Sequence, residues 1–227
     1  MQVSKIFSSI EDTGLHVGYM TTYIRTFGCN LNCSYCDSDY CVSPDTPDGN
    51  FEAMDVEDII EKVIEFGNIH ITFTGGEPLL QQNAAELVAT LLDSGYYVNV
   101  ETQGGVDLAV FETKMVGILA DDELLNNLTY SIDYKCPSSD MAGRMLTENI
   151  SFLVDNDVLK FFVSDEEDLE FVQDILEEYE PLAQIFVLPI GEMQAKTIVD
   201  FISSTGLQQA RVQLPLRKTI YGEDMHV

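Results

Sequence analysis

Short apolar runs alternate along the chain with segments whose apolar residues recur at helical spacing. The runs predict strands over Tyr19–Thr26, Ile69–Phe73, Tyr96–Glu101, Thr129–Tyr134, Val158–Val163 and Gln184–Pro189, with a last one near Ala210–Leu214. Val56–Phe66 carries Val56, Ile59, Ile60, Val63 and Ile64 on one face, and Asp55 stands where an N-cap belongs. Ala84–Ser94 predicts a second helix, with Gly95 as its C′ glycine. Asp168–Tyr179 and Ala195–Ser204 predict the later helices. The strands read as continuous apolar runs more than as strict alternations, which is the pattern of strands covered on both faces. Strand–helix alternation then predicts right-handed crossovers and a parallel sheet, an α/β fold forming an open or partial barrel. No repeat, low-complexity tract or linker divides the chain, so residues 1–227 are expected to form one domain. Ser43–Asn50, with Pro44, Pro47 and Gly49, predicts a loop.

Charge narrows the classes of function. Eleven Lys and Arg face 39 Asp and Glu, a formal net charge of −28. Such a surface repels phosphate backbones, so nucleic acid is not expected as a partner. Most of these carboxylates are read as a solvated acidic surface. No run is long and apolar enough for a membrane span, and the polar N-terminus lacks the shape of a signal peptide. A cytoplasmic location without membrane attachment is expected. Clustered thiols there suit metal binding better than disulfides. Because cations are scarce, a Lys or Arg beside a motif draws attention.

The densest chemistry is Gly28-Cys29-Asn30-Leu31-Asn32-Cys33-Ser34-Tyr35-Cys36, a C-x3-C-x2-C run. Three thiolates this close suit an iron–sulfur cluster. A cubane has four irons, so three protein ligands leave one iron open for chemistry. Structural zinc prefers four ligands in two separated pairs. Cys41 is available as a fourth ligand, but the triplet spacing is unusual for zinc.

Thr74-Gly75-Gly76-Glu77-Pro78 follows the strand predicted at Ile69–Phe73. Glycines allow close backbone approach, and Glu77 offers an anionic acceptor at a strand end. Alone this would be a turn. Its place after a parallel strand, behind a cysteine triplet, puts it where α/β sheets bind ligands. Glu101-Thr102 and Ser131-Ile132-Asp133-Tyr134-Lys135 close the next strands at the same mouth. Lys160 lies in the strand after them and reads equally well as a ligand group or as a buried structural lysine.

The cysteine run and the Thr74–Pro78 segment resemble those of radical S-adenosylmethionine enzymes. The resemblance implies a [4Fe–4S] cluster on Cys29, Cys33 and Cys36, whose open iron chelates S-adenosylmethionine and reduces it to a 5′-deoxyadenosyl radical. It also implies a partial (β/α)6-type barrel, reduced in size. Lys135-Cys136-Pro137-Ser138-Ser139, the lead-in Tyr23-Ile24-Arg25-Thr26-Phe27-Gly28, and Cys36-Asp37-Ser38 resemble the 7-carboxy-7-deazaguanine synthase family, along nearly the whole chain. That family contracts the ring of 6-carboxy-5,6,7,8-tetrahydropterin, releases ammonia, and feeds the 7-deazapurine (queuosine) pathway. Carried over by position, Gly75, Gly76 and Glu77 are expected to hold the methionine amino group. Glu101, Ser131 and Lys135 are expected along the rest of the cofactor. Arg25 is expected to pair with the substrate carboxylate, a planar bidentate match that lysine lacks. Gly14, Thr74 and Gln213 join it at the substrate, and Ser38 stands where a hydroxyl ligates Mg2+. A reductant such as flavodoxin or ferredoxin and pairing as a homodimer are implied as well.

Three segments depart from the family pattern. The opening loop is Ile10-Glu11-Asp12-Thr13-Gly14 in place of glutamine-glycine-glutamate-glycine. A proline pair becomes Cys136-Pro137, and a C-terminal glutamine-leucine-histidine-lysine becomes Pro215-Leu216-Arg217-Lys218. The first and last touch the substrate pocket and leave the cofactor site intact. Alternatives are a relative acting on another small molecule, a glycyl-radical activating enzyme of the anaerobic ribonucleotide reductase type, and an iron–sulfur electron carrier. An activating enzyme has no need of Arg25 or Lys135–Ser139, and a carrier has no need of an open iron or Thr74–Pro78.

Overall fold

The computed structural model describes residues 1–36, 38–42 and 49–222. The predicted loop at Ser43–Asn50 falls largely outside the described residues, as does Asp37. In chain order the elements are β1 (Gln2–Ile10), β2 (Met20–Thr26), β3 (Glu52–Ala53), α1 (Val56–Phe66), β4 (His70–Gly75), α2 (Ala84–Asp93), β5 (Tyr97–Thr102) and α3 (Leu108–Val116). They continue as β6 (Leu128–Asp133), α4 (Glu148–Phe152), β7 (Val158–Val163), α5 (Glu166–Tyr179), β8 (Gln184–Pro189), α6 (Ala195–Thr205), β9 (Ala210–Val212) and α7 (Leu216–Tyr221).

One sheet runs in the order β3-β1-β2-β4-β5-β6-β7-β8-β9. From β2 through β9 along that order every pair is parallel. The sheet curves no further than its two end strands, β3 and β9, which pair on one side only, so the barrel is partial. The all-parallel expectation needs one correction. β1 pairs antiparallel with β2, and β3 antiparallel with β1. The tight return at Glu11–Tyr19, closed by the Glu11 N–H on the Tyr19 carbonyl at 2.8 Å, permits the antiparallel hairpin.

Helix ends follow local chemistry. The Asp58 N–H donates to Asp55 Oδ1 at 2.9 Å, and Gly67 closes α1 at φ 68°. Helix α5 begins two residues before the expected Asp168 because Asp165 caps it, accepting from the Asp168 N–H at 3.0 Å. Beyond α2, the Gly95 N–H donates to the Leu92 carbonyl at 2.9 Å, and Gly95 sits at φ 84°.

The strands alternate more sharply than their composition suggests. One face, with Ile24, Ile71, Phe73, Val98, Val100, Leu159, Phe161, Ile185 and Val187, enters the helix-covered apolar core. The other face carries Tyr23, Arg25, Thr72, Asn99, Ser131 and Lys160, all buried. Both faces are covered, as expected, but the inner one is polar. Register aligns its members across strands: Arg25 opposite Thr74, Glu101 opposite Ser131, Asp133 opposite Lys160. The interior is therefore built to hold something polar.

Candidate active site

A cavity of about 980 Å³ opens at the carboxyl ends of β2 and β4–β8, where parallel α/β sheets place their ligands. Cys29, Cys33 and Cys36 line it together with Thr74, Gly75, Gly76, Glu101 and Lys135. Arg25 and Ser38 line it too. Four of the predicted site residues, Glu77, Ser131, Gly14 and Gln213, stand just behind this wall.

The cysteine loop leaves β2 at Phe27 and is tied down on two sides. The Gly28 N–H donates to the Cys41 carbonyl at 2.7 Å. Further on, the Ser34 N–H donates to the Ser139 carbonyl at 3.1 Å and its hydroxyl to the Ser138 carbonyl at 2.6 Å. Ser138 is itself held by the buried Asp168, whose carboxylate accepts from its N–H at 3.0 Å and its hydroxyl at 2.5 Å. Thus the Lys135–Ser139 segment braces the cysteine loop. Burial pushes the Cys29 thiol up to about 11, with the Leu31 N–H opposing it at 3.4 Å. Burial also raises Cys33, opposed by the charge of Lys135. Loading a metal on these thiols must therefore expel protons.

The donor set fits a [4Fe–4S] cluster. Three thiols face one cavity, while Cys41 and Cys136 are fully buried and off its wall. A four-thiol zinc site has no fourth cysteine here. Soft thiolates in a set of three leave one iron of a cubane without a protein ligand.

The glycine turn is packed against the same loop. The Gly76 N–H donates to the Thr26 carbonyl at 3.0 Å, and the Glu77 N–H to the Gly28 carbonyl at 2.9 Å. A Cβ on Gly75 would lie 2.2 Å from the Thr26 oxygen, and one on Gly76 2.3 Å from the Gly28 oxygen. The two glycines let the turn meet the start of the cysteine loop backbone to backbone. Glu77 differs from the lining acceptor expected of it. Its carboxylate is fully buried and accepts from the Leu79 N–H at 3.0 Å, the Gln103 N–H at 2.9 Å and the Thr102 hydroxyl at 2.9 Å. A buried carboxylate requires such donors. It thereby fixes Thr102 and Gln103 on the cavity wall, and Gln103 reaches Asn30 of the cysteine loop at 3.1 Å. Burial still pushes Glu77 up to about 7.

The cavity floor is an ionic cluster. Lys160 Nζ lies 2.8 Å from Glu101 Oε1, 3.1 Å from Asp133 Oδ1 and 3.2 Å from Thr13 Oγ1. Burial disfavours its charge, but Asp133 and Glu101 outweigh burial and hold its pKa above the ordinary lysine value. The two readings of Lys160 are thus joined: it is a structural cation that also lines the site. Lys135 stands 3.9 Å from Asp133 on the cysteine side.

The β2 side of the cavity is aromatic and cationic, with Phe7 of β1 packed against it. Phe7 stacks on Tyr23 at 5.0 Å, and the Arg25 guanidinium stands 5.1 Å over Phe7 while donating to the Tyr40 hydroxyl. Five of the chain's eleven Lys and Arg line this single cavity: Arg25, Lys135, Lys160, Arg217 and Lys218. Asp12, Glu101, Asp133 and Asp140 line it as well, so the cavity is close to charge balance while the chain as a whole carries −28.

Gly14 and Gln213 face each other. Gln213 Oε1 accepts from the Gly14 N–H at 2.7 Å, and its Nε2 donates to the Gly14 carbonyl at 3.2 Å. The Ser131 hydroxyl is buried without a hydrogen-bond partner among the described residues, 3.5 Å from where a Gly14 Cβ would be. In the altered opening loop, Asp12 and Thr13 line the cavity but Glu11 turns away. Glu11 accepts from Tyr23 at 3.0 Å and from Thr72, and burial followed by the charge of Glu101 raises it to about 7. Tyr40 and Gln103 are site residues that motif reading missed, whereas Tyr23, Asp133 and Arg217 stood inside singled-out segments without a role of their own. Gln103 adjoins a segment that was singled out, and cation scarcity was a usable signal for Arg217.

The profile of the radical SAM superfamily matches residues 23–133. The chain is 36% identical over 224 residues to a 7-carboxy-7-deazaguanine synthase from Clostridium acetobutylicum, covering 97% of this chain and 96% of that one. It is 34% identical over 222 residues to one from Methanospirillum hungatei, covering 97% and 85%. Its fold is similar to the crystal structure of QueE from Escherichia coli, with a TM-score of 0.71 over 94% of this chain and 92% of that chain, at 17% identity.

Proposed function

The chain belongs to the 7-carboxy-7-deazaguanine synthase family of radical SAM enzymes, and on that premise we propose that it contracts the ring of 6-carboxy-5,6,7,8-tetrahydropterin to 7-carboxy-7-deazaguanine with loss of ammonia. The observation that carries the reading is one cavity shared by three thiols and a guanidinium–aromatic wall. A [4Fe–4S] cluster with S-adenosylmethionine would supply the 5′-deoxyadenosyl radical that takes hydrogen from the substrate.

The chain's residues then divide the remaining work. Cys29, Cys33 and Cys36 hold the cluster. Gly75 and Gly76 form the cofactor side of the wall, and Glu77 acts from behind by fixing Thr102 and Gln103. Glu101, Ser131 and Lys135 serve the cofactor, with Lys160 holding Glu101 in place. Arg25 takes the substrate carboxylate, and Thr74 stands beside it across β4. Gly14 and Gln213 shape the substrate end through their mutual hydrogen bonds. Ser38 would offer a hydroxyl to Mg2+, which would supply positive charge for the substrate carboxylate. The cavity's depth shields reactive species from bulk water. One domain, a homodimer and a flavodoxin or ferredoxin reductant complete the proposal. Among the described residues no helix is long and apolar enough to cross a membrane.

Arg25→Lys tests it. The variant keeps the charge and loses the fork. The reconstituted wild type should convert the carboxylated tetrahydropterin, and Arg25→Lys should lose conversion while still cleaving S-adenosylmethionine slowly without coupling. Equal turnover by both proteins contradicts the substrate assignment.

A further inference from the structure

Glu11 belongs to the loop after β1, where the chain departs from its family's pattern, and the reading above leaves it without a task. It lies between two spaces. At the carboxyl ends of the strands is the large cavity, with Asp12, Thr13 and Tyr23 on its wall. At the amino ends of β4 and β5 is a small cavity of about 10 Å³, the room of one water. Glu11 lines this base cavity with Thr21, Thr72, Asn99, His16 and His70, and the exposed Tyr19 and Tyr97 stand at its rim.

Both oxygens of Glu11 meet hydroxyls that have a second place to turn. The Tyr23 hydroxyl lies 3.0 Å from Glu11 Oε1 and 3.2 Å from the Ile10 carbonyl. The Thr72 hydroxyl reaches Glu11 Oε2 and lies 2.9 Å from the Thr21 hydroxyl. With Glu11 ionised, both hydroxyls donate to it. With Glu11 protonated, its O–H can donate to Tyr23, which turns to Ile10, or to Thr72, which turns to Thr21. Glu77 is the contrast, because its partners at Leu79 and Gln103 are backbone N–H groups that only donate. The row Thr21–Thr72–Glu11–Tyr23 therefore joins the base cavity to the large one through groups that can each take a proton on one side and release one on the other. At the foot of the row, Asn99 lines the base cavity, and its Oδ1 is buried with no hydrogen-bond partner among the described residues, free to accept from a water.

The groups facing Glu11 leave it able to change state. Burial and Glu101 disfavour its charge, Lys160 favours it, and together they set it at about 7. The Asp12 N–H lies 3.2 Å from its Oε1. Burial holds His16 and His70, at the base, below the ordinary histidine value. Arg217 stands 5.3 Å over the Tyr23 ring. Burial, then the charges of Glu11 and Glu101, keep the Tyr23 hydroxyl above its ordinary value, so at neutral pH it is a donor and not a base.

We infer that Tyr23 gives a proton to the amine that leaves during ring contraction, and that Glu11, acting through Tyr23, replaces that proton from water at the base of the barrel. This rests on the pterin reading above and adds the proton route. The amine departs with the C–N electron pair and the Tyr23 proton. Glu11 then protonates Tyr23, and water reprotonates Glu11 by way of Thr21 and Thr72. The ring gives one proton to water in forming the deazapurine, so the sum is loss of ammonia with no electron exchanged.

Turnover of 6-carboxy-5,6,7,8-tetrahydropterin by the reconstituted protein at pH 6 and pH 8 tests it, with cleavage of S-adenosylmethionine followed alongside. Wild-type turnover should fall about tenfold from pH 6 to pH 8, the ratio of protonated Glu11 for a group titrating at about 7. Glu11→Gln keeps the shape without a proton to release. It should be slower than wild type at pH 6 and change by less than about threefold across the range. Tyr23→Phe should slow deazapurine formation at pH 6 by about a hundredfold, the contribution of a positioned acid, while still cleaving S-adenosylmethionine. A tenfold fall retained in Glu11→Gln overturns the inference, as does full turnover by Tyr23→Phe. Infrared spectroscopy of the same proteins gives a readout apart from turnover. The protonated-carboxyl band that wild type loses between pH 6 and pH 8 should be smaller in Glu11→Gln, and an undiminished band overturns the inference. If Glu11→Gln fails to fold by circular dichroism, Tyr23→Phe decides: slowed deazapurine formation with S-adenosylmethionine cleavage kept supports the route, and unchanged formation overturns it. A wild type that forms no deazapurine at either pH overturns the pterin reading and this inference with it. A productive wild type beside a Glu11→Gln variant of identical pH profile overturns only the role of Glu11.

Discussion

Glu77 makes the sharpest stability prediction. Its carboxyl is fully buried and raised from 4.5 to about 7, so the folded chain binds a proton there that the unfolded chain releases. Stability from this group is then present at low pH and is lost as pH rises from about 4.5 through about 7. Between pH 6 and pH 8 that loss is about 1.3 kcal/mol, from the one-site linkage relation with one pKa unit equal to about 1.4 kcal/mol. Glu11, buried and raised to about 7 as well, adds a similar loss. Glu77→Gln removes one of the two, so the variant's stability should fall less steeply than the wild type's over the same range. It also carries a constant cost. Glu77 Oε1 accepts from Leu79 and Oε2 from Gln103, so a neutral amide sets its NH2 group against one of these backbone N–H donors. A buried donor left unmet costs about 1–3 kcal/mol. Urea denaturation of the cluster-free protein at both pH values measures both effects. A slope equal to the wild type's would refute the assignment of a buried, proton-binding Glu77.

Replacing Cys29, Cys33 or Cys36 by Ala should abolish iron retention, whereas Cys41→Ala and Cys136→Ala should keep full iron content and lose about 1 kcal/mol of stability as small buried groups; iron analysis with denaturation checks both. Lys160→Met leaves Glu101 and Asp133 facing each other and should cost about 3 kcal/mol, the low end of the range for broken buried pairs because both side chains retain some exposure. A thermal melt of the variant against the wild type reads the loss. Gly76→Ala should prevent the glycine turn from seating on Gly28 and reduce cofactor affinity and cluster retention together, since its Cβ meets backbone on both the Gly28 and Cys41 sides; unchanged retention contradicts the close-packed turn.

The sequence carried most of this fold because its signals are local. Val158–Val163 and Gln184–Pro189 match their strands end to end, and Asp55 and Gly95 act at the helix ends as expected. β1 escaped because its residues, Gln2–Ile10, mix exposed Gln2 and Lys5 and half-buried Ser4 and Ser8 with buried Val3, Phe7 and Ser9, a pattern with no apolar run. The polar inner face escaped for a related reason. Thr72, Asn99, Ser131 and Lys160 each look incidental within an apolar strand, and only register across strands assembles them. Within the site, motif spacing led to the three cysteines and the glycine turn. It did not indicate that Glu77 faces inward, because orientation is set by donors on β5 and the following turn. Arg217 lies nearly two hundred residues from Arg25, and the two reach the same Phe7 ring. Scarcity of cations singled out Arg25 because it stands beside a motif. Arg217 stood in the altered Pro215–Lys218 segment, which was read as a departure at the substrate pocket and gave the residue no role.

The most direct test of the central claim is the stoichiometry of the anaerobic reaction with 6-carboxy-5,6,7,8-tetrahydropterin, followed by mass spectrometry of product and cofactor. The account predicts 7-carboxy-7-deazaguanine and ammonia in equal amounts, in large excess over any S-adenosylmethionine cleaved. Cleavage of S-adenosylmethionine with no deazapurine formed, under conditions where the cluster is intact, would contradict it.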